Sequence, residues 1–503
     1  MKTSSRVGVL TLFLVLGLLP SANAEQTDLA AVGSDKPRSD SYLMRFEDGS
    51  ASLVNSSGYQ GSYVFEGRDP VVSKNYNAVL PFCGSVHTFG CIESIEAKIT
   101  SESQWEKLTP GEKFWNDPIA SFTPNTDGSQ KVNLWSSWAG DREIGLPPSE
   151  KVQVFNSAIH LHGGGNAYVV KSLMSGNEFS KGRFTINSFS LSVIPVKILK
   201  YDPTVAGSRE IVSVQNFRFP KNVEFKVRVN LGNLYAQLNG WFFGRVNDAQ
   251  IELNPRNQSV AIQGAPSITP VQTGYMPYPV PEKFKGDFTG LPQGTSGYLP
   301  SYLFSPGSDS VKYWTKYRDY LNKSASHESE VWHINASPQT FGGLNSELYQ
   351  CSATKNGVIG LLTTNATAYE NKQPSWDAKE QTLSYQVAGP ELLSDGRKNL
   401  GNYLLAIRTD VASCLWKSDL KNAKATVEVT NGDGSAGAQL ATTTMSQRNG
   451  WLYFSASGFH FSAPTIKVKL NSEKIFKITC LKGKTKKIVT GTNPKCPSGY
   501  KKS

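Results

Sequence analysis

Apolar and polar positions alternate with a period of two along most of this chain. In 223–231, Val223, Phe225, Val227 and Val229 alternate with Glu224, Lys226 and Arg228, the pattern of a strand that buries one face. Phe189, Leu191 and Val193 alternate with serines in 186–196. Ala423, Ala425, Val427 and Val429 alternate with Lys424, Thr426, Glu428 and Thr430, and Ile466, Val468 and Leu470 repeat the theme. Between such runs stand Asn239-Gly240, Asn431-Gly432-Asp433-Gly434 and Arg448-Asn449-Gly450. Asparagine and glycine tolerate positive φ, so these are hairpin signals. Short strands at this spacing, with no long amphipathic helix among them, predict antiparallel sandwiches.

Two stretches break the pattern. Eight of the chain's 27 prolines fall in 266–306, interleaved with Tyr275, Tyr278, Phe284, Phe288, Tyr298 and Tyr302. Proline removes backbone donors, so this stretch is expected to be a connector whose aromatics pack on a domain surface. A helix is expected next, over 309–322. Ser308, Asp309 and Ser310 offer N-caps, and Val311, Trp314, Tyr317, Tyr320 and Leu321 form one apolar stripe for packing. Strand patterns return at 331–334, 357–364, 383–387 and 403–407. The expected fold is mainly β. Two antiparallel β-sandwich-like domains, 42–265 (divisible near 145) and 331–470, are joined by a proline-rich linker and one helix over 266–330. A basic tail, 471–503, follows.

At the amino end, Lys2 and Arg6 precede an apolar run over 7–19, and Ala22-Asn23-Ala24 supplies small residues for cleavage. This reads as a signal peptide over 1–24, followed by a polar lead-in over 25–41. The apolar run falls short of the roughly 20 residues that span a bilayer, so a secreted, extracellular or envelope-associated product is expected. Export favours oxidised cysteines. The six fall in three couples, Cys83 with Cys91, Cys351 with Cys414 and Cys480 with Cys496, and sequential pairing is expected. No couple has the short gap of a zinc knuckle.

Charge is concentrated at the carboxyl end. The chain carries +11, of which the signal peptide holds +2 and the tail +8, with nine lysines against one glutamate. The remaining +1 gives the body no basic face for nucleic acid. A Cys480–Cys496 loop would present Lys482, Lys484, Lys486, Lys487 and Lys495. An anionic cell-envelope polymer or a membrane surface is the expected partner, and export makes nucleic acid the less available polyanion.

Candidate chemistry is sparse. His160-Leu161-His162-Gly163-Gly164-Gly165 places two histidines at i and i+2, on one face of a strand, where a third ligand would complete a metal site. An exposed strand running into a glycine turn explains the same residues. His-Gly-Gly-Gly also occurs in esterase oxyanion loops, but the Gly-x-Ser-x-Gly elbow that such enzymes need is absent. A glycosidase needs two facing carboxylates, which leave no local signature; Glu143, Glu178, Asp287 and Asp377 are the candidates. Aspartates in 431–434 and 307–309 lack a calcium loop's alternating oxygens. Trp135 and Trp138, and Trp241-Phe242-Phe243, could stack on a sugar or bind a protein, although most tryptophans in such a protein are core. No cofactor motif is present. The expected function is therefore an exported binding or structural protein with a carbohydrate or protein ligand; a secreted glycosidase-like enzyme is the alternative.

The tail, Ile478-Thr479-Cys480-Leu481-Lys482-Gly483-Lys484, Lys486-Lys487, Pro494-Lys495-Cys496-Pro497 and Gly499-Tyr500-Lys501-Lys502, resembles a carboxy-terminal module of exported actinobacterial proteins, most of unknown function. Gly240-Trp241-Phe242-Phe243-Gly244-Arg245, Cys91-Ile92-Glu93-Ser94 and the segment from Asn449-Gly450-Trp451-Leu452 to Leu470 are similar to recurrent stretches in large secreted proteins of that kind. The resemblance covers about half of the chain. It implies export and a surface setting and transfers no catalytic residue.

Overall fold

The structure is a computed structural model that describes residues 41–46, 63–65, 72–114, 132–134, 137–179, 182–199, 213–238, 240–288, 302–304, 309–337, 347–352, 355, 357–418, 420, 424–430, 439, 441–461, 463–471, 476–483, 485–491 and 494–503. The expected signal peptide, the lead-in up to residue 40, Trp135, the turn at 431–434 and Lys484 lie outside the described residues.

The chain is mainly β, as its alternation predicts. A long central sheet runs through Val132–Leu134, Tyr63–Phe65, Val72–Val79, Ala167–Phe179, Arg183–Leu199, His327–Ser337, Gly240–Asn254, Val358–Thr364, Leu400–Arg408, Trp451–His460 and Thr442–Arg448. Neighbours are antiparallel except Gly240–Asn254 with Val358–Thr364. The last hairpin turns at Asn449 and Gly450, with φ of 52° and 79°, which is why Asn-Gly stands there.

A second layer lies against one face of this sheet. It consists of Cys91–Ile99, Val223–Asn230, the first part of Ser259–Pro277 and the end of Gly240–Asn254. Its Val223, Phe225 and Val227 share a core with Phe189, Leu191, Phe242, Ile334, Leu361 and Trp451. A third layer, Ala368–Tyr369, Thr382–Ala388, Thr465–Asn471 and Lys424–Thr430, closes the other face. There Leu383, Tyr385, Ile466 and Val468 meet Trp241, Phe243, Leu362, Leu405 and Leu452. The middle strands of the central sheet are thus buried on both faces. Such strands read as continuous apolar runs and not as alternation, which accounts for Trp241-Phe242-Phe243 and for the wholly buried Val358–Thr364.

The expected linker is corrected by the structure. Residues 266–277 continue the strand Ser259–Pro277, which pairs in turn with His327–Ser337 and with Ser41–Phe46. Pro266 enters beside a register shift between Asn247 and Gln250, where the ladder is already interrupted, and its carbonyl accepts from Asn247 Nδ2 at 3.0 Å. Nor is 266–330 a break in the sheet, because His327–Ser337 inserts between Arg183–Leu199 and Gly240–Asn254. Period-two patterning identifies strands but not their neighbours.

The helix expected at 309–322 spans Ser310–Tyr317 and continues as a 3-10 turn over Arg318–Tyr320. Its Val311, Trp314 and Tyr317 pack on Tyr42, Met44, Phe46, Met276 and Phe284, and Trp314 Nε1 donates to Gln272 Oε1 at 2.6 Å. All three disulfides pair sequentially. Cys351–Cys414 joins two short helices, Glu347–Ser352 and Thr409–Leu415, across 63 residues, a closure worth about 4 kcal/mol in the loop-entropy model. The tail is more ordered than the expected loop. Phe476–Lys482 is the centre of a three-stranded sheet with Thr485–Gly491 and Lys501–Lys502, and Cys480 is fully buried at its disulfide.

Candidate binding surfaces

The two histidines lie in a turn that leads into Ala167–Phe179, and both are buried while Leu161 between them is exposed. His162 Nε2 is 2.8 Å from the Ala167 carbonyl, and its Nδ1 accepts from the Gly164 amide at 3.1 Å. Its ring sits against Tyr168 and Phe217. Burial holds its pKa below the usual histidine value, against the Ala167 hydrogen bond. With both nitrogens engaged by the backbone, this ring is a strut of the loop and the expected two-histidine metal pair is not assembled. Among the described residues no three His, Cys, Asp or Glu side chains group as metal ligands.

His160 faces elsewhere, with Nε2 at 3.6 Å from Glu106 Oε2. Glu106 accepts the Ser157 hydroxyl and the Ala158 amide, while Ser157 Oγ accepts the His160 amide at 2.7 Å. Serine, histidine and a carboxylate meet here, but in the wrong order for acyl transfer. The acid holds the hydroxyl directly, whereas a nucleophile needs the imidazole between the two. The cluster fixes a turn that presents Ile159 and Leu161.

Three of the four candidate carboxylates, Glu178, Asp287 and Asp377, are tied into their own neighbourhoods. Tyr76 donates to Glu178 at 2.7 Å, and Glu143 is exposed in a turn where its amide donates to Asp141. Burial would raise the Asp287 carboxyl, but hydrogen bonds from Lys316 and Tyr317 outweigh it and lower the pKa. Asp377 accepts from the Glu380 and Lys379 amides, and these hold its pKa down as well. A glycosidase's general acid needs the opposite, a raised pKa. The Glu330 carboxyl is raised by burial, yet it is occupied by the Phe219 amide at 2.9 Å.

Trp138 donates through Nε1 to the Pro147 carbonyl at 2.7 Å and packs edge-on to Tyr76. Its partly buried ring lies against the larger core. Trp241, Phe242 and Phe243 are all buried and offer no platform.

Two recesses escaped the sequence reading. One, of about 300 Å³, is lined by residues of four central-sheet strands, among them Asn247, Asp248, Thr363, Asn402, Ser455 and Ser457. The other, of about 510 Å³, gathers Tyr235, Lys355, Arg408, Asp410, Asn449 and Trp451. Asp410 there pairs with Arg408 at 2.8 Å and Lys355 at 3.2 Å. These residues come from separate strands and turns, so no local motif announces them.

The tail carries the densest charge. Lys482, Lys486, Lys487 and Lys495 are exposed, as are Lys477, Lys501 and Lys502. None of the seven has an ion-pair partner among the described residues, and residues 476–503 contain no acidic side chain. No family model, curated protein or solved structure matches the chain.

Proposed function

We propose that this is an exported cell-surface or extracellular protein in which a layered, disulfide-stapled β body serves a structural or binding role and the basic tail holds it to an anionic envelope. The carrying observation is the contrast in charge. Seven exposed lysines with no ion-pair partner among the described residues sit on or beside a small disulfide-pinned sheet, while the body over 25–470 sums to +1. Long-range attraction to a polyanion therefore belongs to the tail, at about 1 kcal/mol per lysine near an anionic membrane surface and less as salt rises. The sequential disulfides accord with an oxidising compartment, as does the resemblance to exported actinobacterial proteins.

Comparing cell-fraction retention of the full chain with a chain ending at Leu470 tests this reading. At low salt the full chain stays with the envelope and the shortened one is released; moderate salt narrows the difference. Equal release of both at low salt would exclude the role.

A further inference from the structure

The lysines do not stand alone on the tail sheet. Residues directly opposite one another in an antiparallel ladder share a face, and so do residues two apart on one strand. Leu481 lies opposite Lys486 on one side and Lys501 on the other, and Thr479 lies opposite Ile488. Lys477, two residues before Thr479, points the same way. One face of the sheet therefore presents Leu481 and Ile488 on a diagonal, bordered by Lys477, Lys486 and Lys501. The other face carries Cys480 and its disulfide. Ile488 is 61% exposed and Leu481 39% exposed. Both are too open to count as core.

We infer that this face docks onto an anionic phospholipid bilayer, with Ile488 and Leu481 entering the boundary between head groups and acyl chains while the three lysines meet lipid phosphates. The inference rests on the retention reading and narrows its partner. A soluble or wall-bound polyanion would use the lysines and gain nothing from two aliphatic side chains held in water among them. A membrane interface uses both. Apolar side chains bury there, basic ones attract anionic lipid, and lysine stems lie along apolar surface with their ammonium groups raised to the phosphates. The disulfide and the three-stranded ladder fix the arrangement before contact, so little ordering is lost on docking.

The full-length oxidised protein can be assayed on phosphatidylcholine vesicles, on vesicles containing phosphatidylglycerol, and on bead-immobilised polyphosphate. The expected result is binding to the phosphatidylglycerol vesicles that falls about tenfold or more in L481S/I488S, with polyphosphate binding unchanged. K477Q/K486Q/K501Q should weaken both. A second measurement needs no variant, since part of the vesicle binding should survive salt that strips the protein from polyphosphate. If L481S/I488S binds vesicles as the parent does, or the vesicle and polyphosphate interactions share one salt dependence, the lipid inference falls and the retention reading stands. Should the full chain bind neither anionic probe, both fall.

Discussion

Arg245 shows how far a residue's surroundings can depart from what its type suggests. Arginine is seldom fully buried, yet this one is, on the strand Gly240–Asn254 just after the aromatic run. Its Nη1 donates to the Thr364 carbonyl at 3.0 Å and Nη2 to the Thr367 carbonyl at 3.2 Å. The guanidinium lies 4.3 Å from the centre of the Tyr369 ring. Arg245→Met keeps the bulk but strips two buried carbonyls of their donors, and should cost about 2–4 kcal/mol in urea denaturation. Nothing in the sequence marks this residue as buried, because its partners lie more than 100 positions away. The histidines teach the converse. Their i, i+2 spacing predicted one face of a strand, but they lie in a turn, with His160 toward Glu106 and His162 on the Ala167 carbonyl and the Gly164 amide, which periodicity does not reveal. The cysteines were legible because they fall along the chain as three consecutive couples, and consecutive partners are the ones that pair, even across the 63 residues between Cys351 and Cys414.

Among the elements, the helix Ser310–Tyr317 was readable from its stripe, while Glu347–Ser352 and Thr409–Leu415 are too short to show a period. Asp287 ties the 3-10 turn Glu282–Phe288 to that first helix through Lys316 and through the Tyr317 hydroxyl at 2.8 Å. Its folded pKa lies below the unfolded value. The stabilisation it provides is therefore complete above about pH 4 and is lost as pH falls through the folded value. Asp287→Asn should lower Tm at pH 6 and flatten the fall of Tm below about pH 4, as calorimetry would read. The long strand Ser259–Pro277 was hidden by its prolines, which mark loops unless an interrupted ladder accommodates them. Arg183–Leu199 illustrates a subtler signal. Its buried positions run Phe184, Ile186, then Phe189, Leu191, Val193, and the slip in phase coincides with the register shift between Ile186 and Ser188.

For the whole molecule, the class was legible and the neighbour relations were not. His327–Ser337 lies between two strands that both precede it in sequence, so a fragment covering 42–265 would expose Phe189 to Val193 and Trp241 to Arg245 as unpaired edges. That fragment is expected to lack a cooperative urea transition, whereas the full chain unfolds with its central sheet as one unit. A sharp transition in the fragment, followed by tryptophan fluorescence, would contradict this. The same insertion also sets a clock. A chain emerging amino-terminus first, from a ribosome or through a channel, cannot complete its central sheet until the strand at 327–337 has come out, by which point about two thirds of the polypeptide is already present. Non-local pairings of this kind close slowly. The order of strands thus makes the junction between Arg183–Leu199 and Gly240–Asn254 wait for a segment that arrives after both.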